Sequence, residues 1–141
     1  MSAEVDQFCD NLRDRLNRVE ARMKTAKTNI QSLPGQAEEA VRKRLGELHR
    51  KLLAHKWPID KARANLEARA RQKLTETREE IDQWKTNCET QKLNDRADRA
   101  EADAMYALEF AEFAIDEAEE AVFDAVLARI DAEAAQQPAA A

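Results

Sequence analysis

Alanine recurs at heptad spacing along the whole C-terminal third of this chain. Ala97, Ala104, Ala111, Ala118, Ala125 and Ala132 are seven apart, and so are Ala100, Ala107, Ala114, Ala121, Ala128 and Ala135. Steps that alternate between three and four place all of these residues on one helical face and on no consistent face of a strand. Alanine has the highest intrinsic helix propensity, but propensity alone does not demand register. Small residues in register let a neighbouring backbone approach closely. The ladder therefore reads as a close-packing seam on a helix over about 96–134. Leu108, Ile115 and Val122 run beside it as a stripe of larger residues.

The rest of the chain repeats the heptad logic with larger side chains. Cys9, Leu16, Met23 and Ile30 form one seven-residue series, and Val5, Leu12, Val19, Ala26 and Leu33 form another. Together they predict a helix over 3–33, packed in coiled-coil fashion. Pro34-Gly35 ends it, because proline lacks an amide donor and glycine tolerates positive φ. The pattern resumes at Val41, Leu45, Leu48, Leu52, His55, Ile59, Ala62 and Leu66, and it passes through Pro58 without losing phase. A Pro58-kinked helix is expected there. Ala70, Leu74, Thr77, Ile81, Trp84 and Cys88 extend it after a stutter at 66–70–74, so the middle helix is drawn over 36–92. Phase is lost between Cys88 and Leu93. A turn near 89–95, with Asp95 capping the next helix, is one reading and a continuous helix the other.

The expected architecture is all-α, an elongated antiparallel three-helix bundle or coiled coil. It forms one domain over 1–135, with a flexible tail at 136–141. Residues 3–33 pair with about 36–65 as a hairpin. The last helix then folds back along about 58–92. Charge supports the second pairing. Residues 95–141 carry thirteen acids and three bases, a net charge of −10, while the whole chain carries −5, which leaves +5 on residues 1–94. The acidic helix is matched to the basic stretch Lys61, Arg63, Arg69, Arg71, Lys73 and Arg78. The last helix also carries Phe110, Phe113 and Phe123 off the ladder, and a helix apolar on more than one face needs several neighbours. A homodimer with the last helices near its axis is expected. Its interface is drawn from Ala97, Ala100, Ala104, Ala107, Ala111, Ala114, Ala118, Ala121 and Ala125 with Leu108, Ile115, Val122, Phe110, Phe113 and Phe123.

Chemistry-bearing patterns are sparse. Cys9 and Cys88 form no CxxC motif and sit on seam positions, so buried, inert thiols are expected. The acids Glu109, Glu112, Asp116, Glu117, Glu119 and Glu120 lack the Glu-x-x-His partners of a di-metal bundle and the glycine turn of an EF-hand, so they read as a solvated face. A Cys9–His55 dyad would need chemistry that ordinary seam packing explains without it. The basic stretch 61–78 is interrupted by acids and has no interleaved aromatics for base stacking, which disfavours nucleic acid. No catalytic, metal or cofactor-binding residue is assigned. There is no apolar leader and no run approaching the roughly 20 apolar residues of a membrane span, so a cytoplasmic protein is expected.

The expected function is a non-enzymatic scaffold or adaptor that self-associates and binds an unidentified protein partner through coiled-coil contacts. In general style, with long amphipathic helices and a broad apolar face, the chain resembles phasin-like and apolipoprotein-like helical proteins, although no single motif carries that resemblance. The alternative it implies is an amphipathic protein that coats lipid or polymer. Membrane association is not favoured, because the last helix is acidic where interfacial helices are usually basic.

Overall fold

The computed structural model describes residues 2–75, 77–87 and 90–137, apart from the side chains of Leu74, Trp84 and Asn87. The chain is an all-α helical bundle, with no strand among the described residues. Its elements are α1 (Ala3–Gln31), a 3-10 turn at Leu33–Gly35, α2 (Glu38–Thr75), α3 (Arg78–Asn87) and α4 (Thr90–Gln136).

Pro34 and Gly35 end the first helix where expected, but no glycine adopts positive φ. The turn closes instead through Gln36 N–H donating to Leu33 O and Gln36 Nε2 donating to Ser32 Oγ. Helix α2 runs through Pro58. It stops at Thr75, well short of residue 92, one position beyond the stutter. Thr77 then starts α3 as a reciprocal cap: its Oγ1 accepts from Glu80 N–H, and Glu80 Oε2 accepts from Thr77 N–H. This Thr-x-x-Glu box was legible at 77–80 and overrides the heptad continuity that suggested one middle helix. Helix α4 begins at Thr90, so residues 90–95 are helical and Asp95 is not its cap. Cys88, and Pro138–Ala141 of the tail, lie outside the described residues.

The chain divides into two compact units, each built from separated stretches. One comprises Met1–Asn17 and Trp57–Phe110, the other Arg18–Lys56 and Ala111–Ala141. In the second unit, α1 and α4 run parallel, whereas α2 and α4 run antiparallel. Its core is Leu33, Val41, Phe123 and Leu127, with Ile30, Leu45, Val122, Val126 and Ile130 packed around them. Phe123 and Val41 are the most deeply enclosed. Removing such a side chain from water stabilises by about 1.5–3 kcal/mol. In the first unit, α2 and α4 are again antiparallel, and Arg69 grips Asp103 through two hydrogen bonds of 3.0 and 2.8 Å. Tyr106 and Phe110 stack with centroids 6.4 Å apart. Every buried residue among those described belongs to the second unit.

Candidate interaction surfaces

Two of the acidic side chains of α4 are not solvated. Asp116 and Glu119 are only 9% and 4% exposed. Arg22 of α1 reaches both, with Nε on Asp116 and Nη2 on Glu119. Asn29 donates to Glu119 at 2.8 Å, and Lys51 Nζ lies 3.7 Å from Asp116. Burial pushes the Glu119 carboxyl upward, but hydrogen bonds from Arg22 and Asn29 and the charges of Arg22 and Arg44 outweigh it and hold the group below its usual range. Burial likewise opposes the Arg22 charge, and the two carboxylates more than restore it. Arg44 also stands over the Phe123 ring, 5.2 Å from its centroid.

These contacts belong to a ladder. Arg15 pairs with Glu109 at 2.9 Å in the first unit, while Arg18 with Glu112 at 3.7 Å and Arg22 with Asp116 follow in the second. Bases at 15, 18 and 22 thus meet acids at 109, 112 and 116 at a constant sequence offset of 94. Equal three-four spacing in both sets fixes a parallel register, since reversing either helix would mismatch the order. The charge matching of α4 to residues 61–78 therefore describes only part of the molecule. It accounts for Arg69 and Lys73 on Asp103. Glu112, Asp116, Glu119, Glu120 and Asp131 turn instead to Arg18, Arg22, Arg42, His49 and Lys51.

The alanine ladder lies elsewhere. Ala114, Ala118, Ala121, Ala125 and Ala128 are exposed, and Ala111 is half-buried. At 100° per residue this face is nearly opposite the α4 face that Asp116, Glu119 and Phe123 bury. The ladder is thus not the seam that α4 presents to its own chain in this unit. In the first unit Ala97, Ala100 and Ala107 are exposed and Ala104 is half-buried. Leu108, Phe110, Ile115 and Val122 are half-buried. Phe113 and Phe123 are buried within the chain, at 7% and 1% exposure. Cys9 is a free, exposed thiol, contrary to its expected burial: Leu12, Val19 and Ala26 of α1 turn inward, whereas Leu16 and Met23 of the Cys9 series are exposed with it.

Beside the exposed alanines, α2 and α4 of the second unit frame a groove of about 760 Å³. Leu45, Leu52, Phe113 and Leu127 form its floor, and the small residues Gly46 and Ala121 also line it. Arg42, His49 and Lys56, each seven apart, line the α2 rim; Glu117, Glu120 and Asp124 line the α4 rim. Leu53, also on the groove, is 55% exposed. Gly46 costs a helix interior about 1 kcal/mol relative to alanine. Nothing lies within 4 Å of where its Cβ would stand, so the chain itself does not require glycine there.

Among the described residues, no group of three or more His, Cys, Asp or Glu side chains is placed to hold a metal ion. Likewise among them, no helix is long and apolar enough to cross a membrane. Comparison with protein-family models, with curated proteins and with solved structures finds no match to this chain.

Proposed function

We propose that the protein is a non-enzymatic helical scaffold or adaptor, working in the cytoplasm, that self-associates and binds protein partners through helix faces its own chain leaves open. One observation carries this reading. Helix α4 is covered on one side by α1 and α2, yet its opposite side is an uninterrupted face of exposed alanines from Ala114 to Ala128. A face without large or charged side chains suits close helix approach and offers little to a small-molecule substrate.

Sedimentation velocity tests the reading. A concentration-dependent dimer at micromolar protein is the expected result, and a monomer up to the highest soluble concentration would remove self-association from the proposal. The coating alternative draws support from a different observation, the exposed Val5, Leu16, Met23, Leu53, Trp57 and Tyr106. Addition of neutral lipid vesicles distinguishes the two. A scaffold keeps its helicity and melting temperature unchanged, whereas a coating protein gains helix and loses its cooperative melt.

A further inference from the structure

The groove between α2 and α4 has the charge pattern of a surface built to meet itself. Arg42, His49 and Lys56 repeat every seven residues on one rim, and Glu117, Asp124 and Asp131 repeat every seven residues along the other helix. The two helices are antiparallel, and their levels are fixed by His49 on Glu120 at 3.1 Å and Arg42 on Asp131 at 2.7 Å. At those levels Lys56 stands within about a turn of Glu117, and His49 within about a turn of Asp124. Among the described residues, neither Lys56 nor Asp124 has an ion-pair partner within the chain. Between the rims lie an apolar floor, the exposed Leu53, and two positions without bulk, Gly46 and Ala121.

We infer that this groove is the self-association face of the scaffold proposed above, and that its occupant is the same groove of a second copy, related by a two-fold axis running along the helices. Charge selects the axis. A two-fold axis across the helices would lay α2 on α2 and α4 on α4, setting base against base and acid against acid. An axis along them lays α2 of one copy on α4 of the other without changing levels, so Lys56 meets the second copy's acidic rim twice by symmetry. Leu53 is then covered, and Gly46 and Ala121 permit close approach. Ala121 belongs to both the groove and the alanine face, so the face continues the contact outward.

This inference rests on the self-association reading, and the test separates the two. Lys56→Glu and Glu117→Lys are prepared singly, with Leu53→Glu as an exposed, uncharged-to-charged control, and each is checked for wild-type helicity. Lys56→Glu and Glu117→Lys are each expected to weaken the dimer about tenfold or more, because each sets like charges together twice. Mixed in equal amounts they are expected to form a heterodimer of near wild-type strength, since each altered side chain then faces its complement. Leu53→Glu is expected to dissociate the dimer as well. If the wild type is a dimer but Lys56→Glu leaves it unchanged or tightens it, the groove arrangement is overturned while self-association stands. Failure of the mixture to recover overturns the α2-on-α4 arrangement. A monomeric wild type overturns both.

Discussion

The guanidinium of Arg22 is 21% exposed at its side chain and meets two carboxylates more deeply enclosed than itself. Removing it leaves Asp116 with only the more distant Lys51 and Glu119 with Asn29, and a poorly compensated buried charge costs more than a surface pair returns. Arg22→Ala should lower the unfolding free energy by about 2–4 kcal/mol. The neighbouring Arg18→Ala should cost less than about 1 kcal/mol, because that side chain is 63% exposed and solvent screens it. Urea unfolding of the two variants side by side measures the difference. Glu119 adds a pH signature. Its carboxyl is held below its ordinary value of 4.5, so it contributes stability above that pH, which is lost as pH falls through the depressed value. The wild type should therefore lose stability on acidification below about 4.5, and Glu119→Gln should flatten that limb of a stability-versus-pH curve. The sequence hid this chemistry because a heptad reading assigns the faces of α4 by residue type. Alanine is apolar and was given the seam, whereas Asp116 and Glu119 are charged and were given to water. The recoverable signal was the matched spacing of Arg15, Arg18 and Arg22 against Glu109, Glu112 and Asp116. Only a pairing of two segments distant in sequence reveals it.

Between elements, the position of the ladder changes what a bulky substitution does. If the alanines were the own-chain seam, Ala114→Leu would overpack it at about 1–3 kcal/mol. Because Ala114 is exposed, its replacement by leucine should change unfolding of the dilute monomer by no more than about 0.5 kcal/mol. Phe123→Ala, from the opposite face of the same helix, should cost about 3–5 kcal/mol. Thermal melts at low protein concentration check both. The existence of the long helices, the stop at Pro34 and the passage through Pro58 were all legible from periodicity and turn chemistry. The break between Thr75 and Arg78 was not, because an apolar seam can continue in phase across a cap. The parallel pairing of α1 with α4 was also out of reach of local patterns, since α1, α2 and α4 all present heptads and any two could in principle pair.

For the chain as a whole, burial is unevenly spread. The second unit holds a core cluster around Phe123 and Val41 together with the Arg22 network, so opening it exposes apolar surface and unpairs buried charge at once. The first unit relies on half-buried side chains such as Leu12, Leu66, Ile81 and Leu108, and on surface pairs such as Arg69 with Asp103, whose side chains are 47% and 15% exposed. Partial burial yields less hydrophobic free energy per residue, and exposed pairs add little. Local opening free energies should follow this difference. In native-state hydrogen exchange on the full chain, amides of α2 around Leu66 and of α3 should exchange through openings well below the global unfolding free energy. Amides around Val41 and Phe123 should exchange only near the global limit. Equal protection in the two regions would mean that cooperativity spreads stability along the continuous helices regardless of local burial. The expected gradient instead locates the stable platform in the unit that also carries the α2–α4 groove. A self-association face on that platform loses little free energy to fraying before its partner arrives.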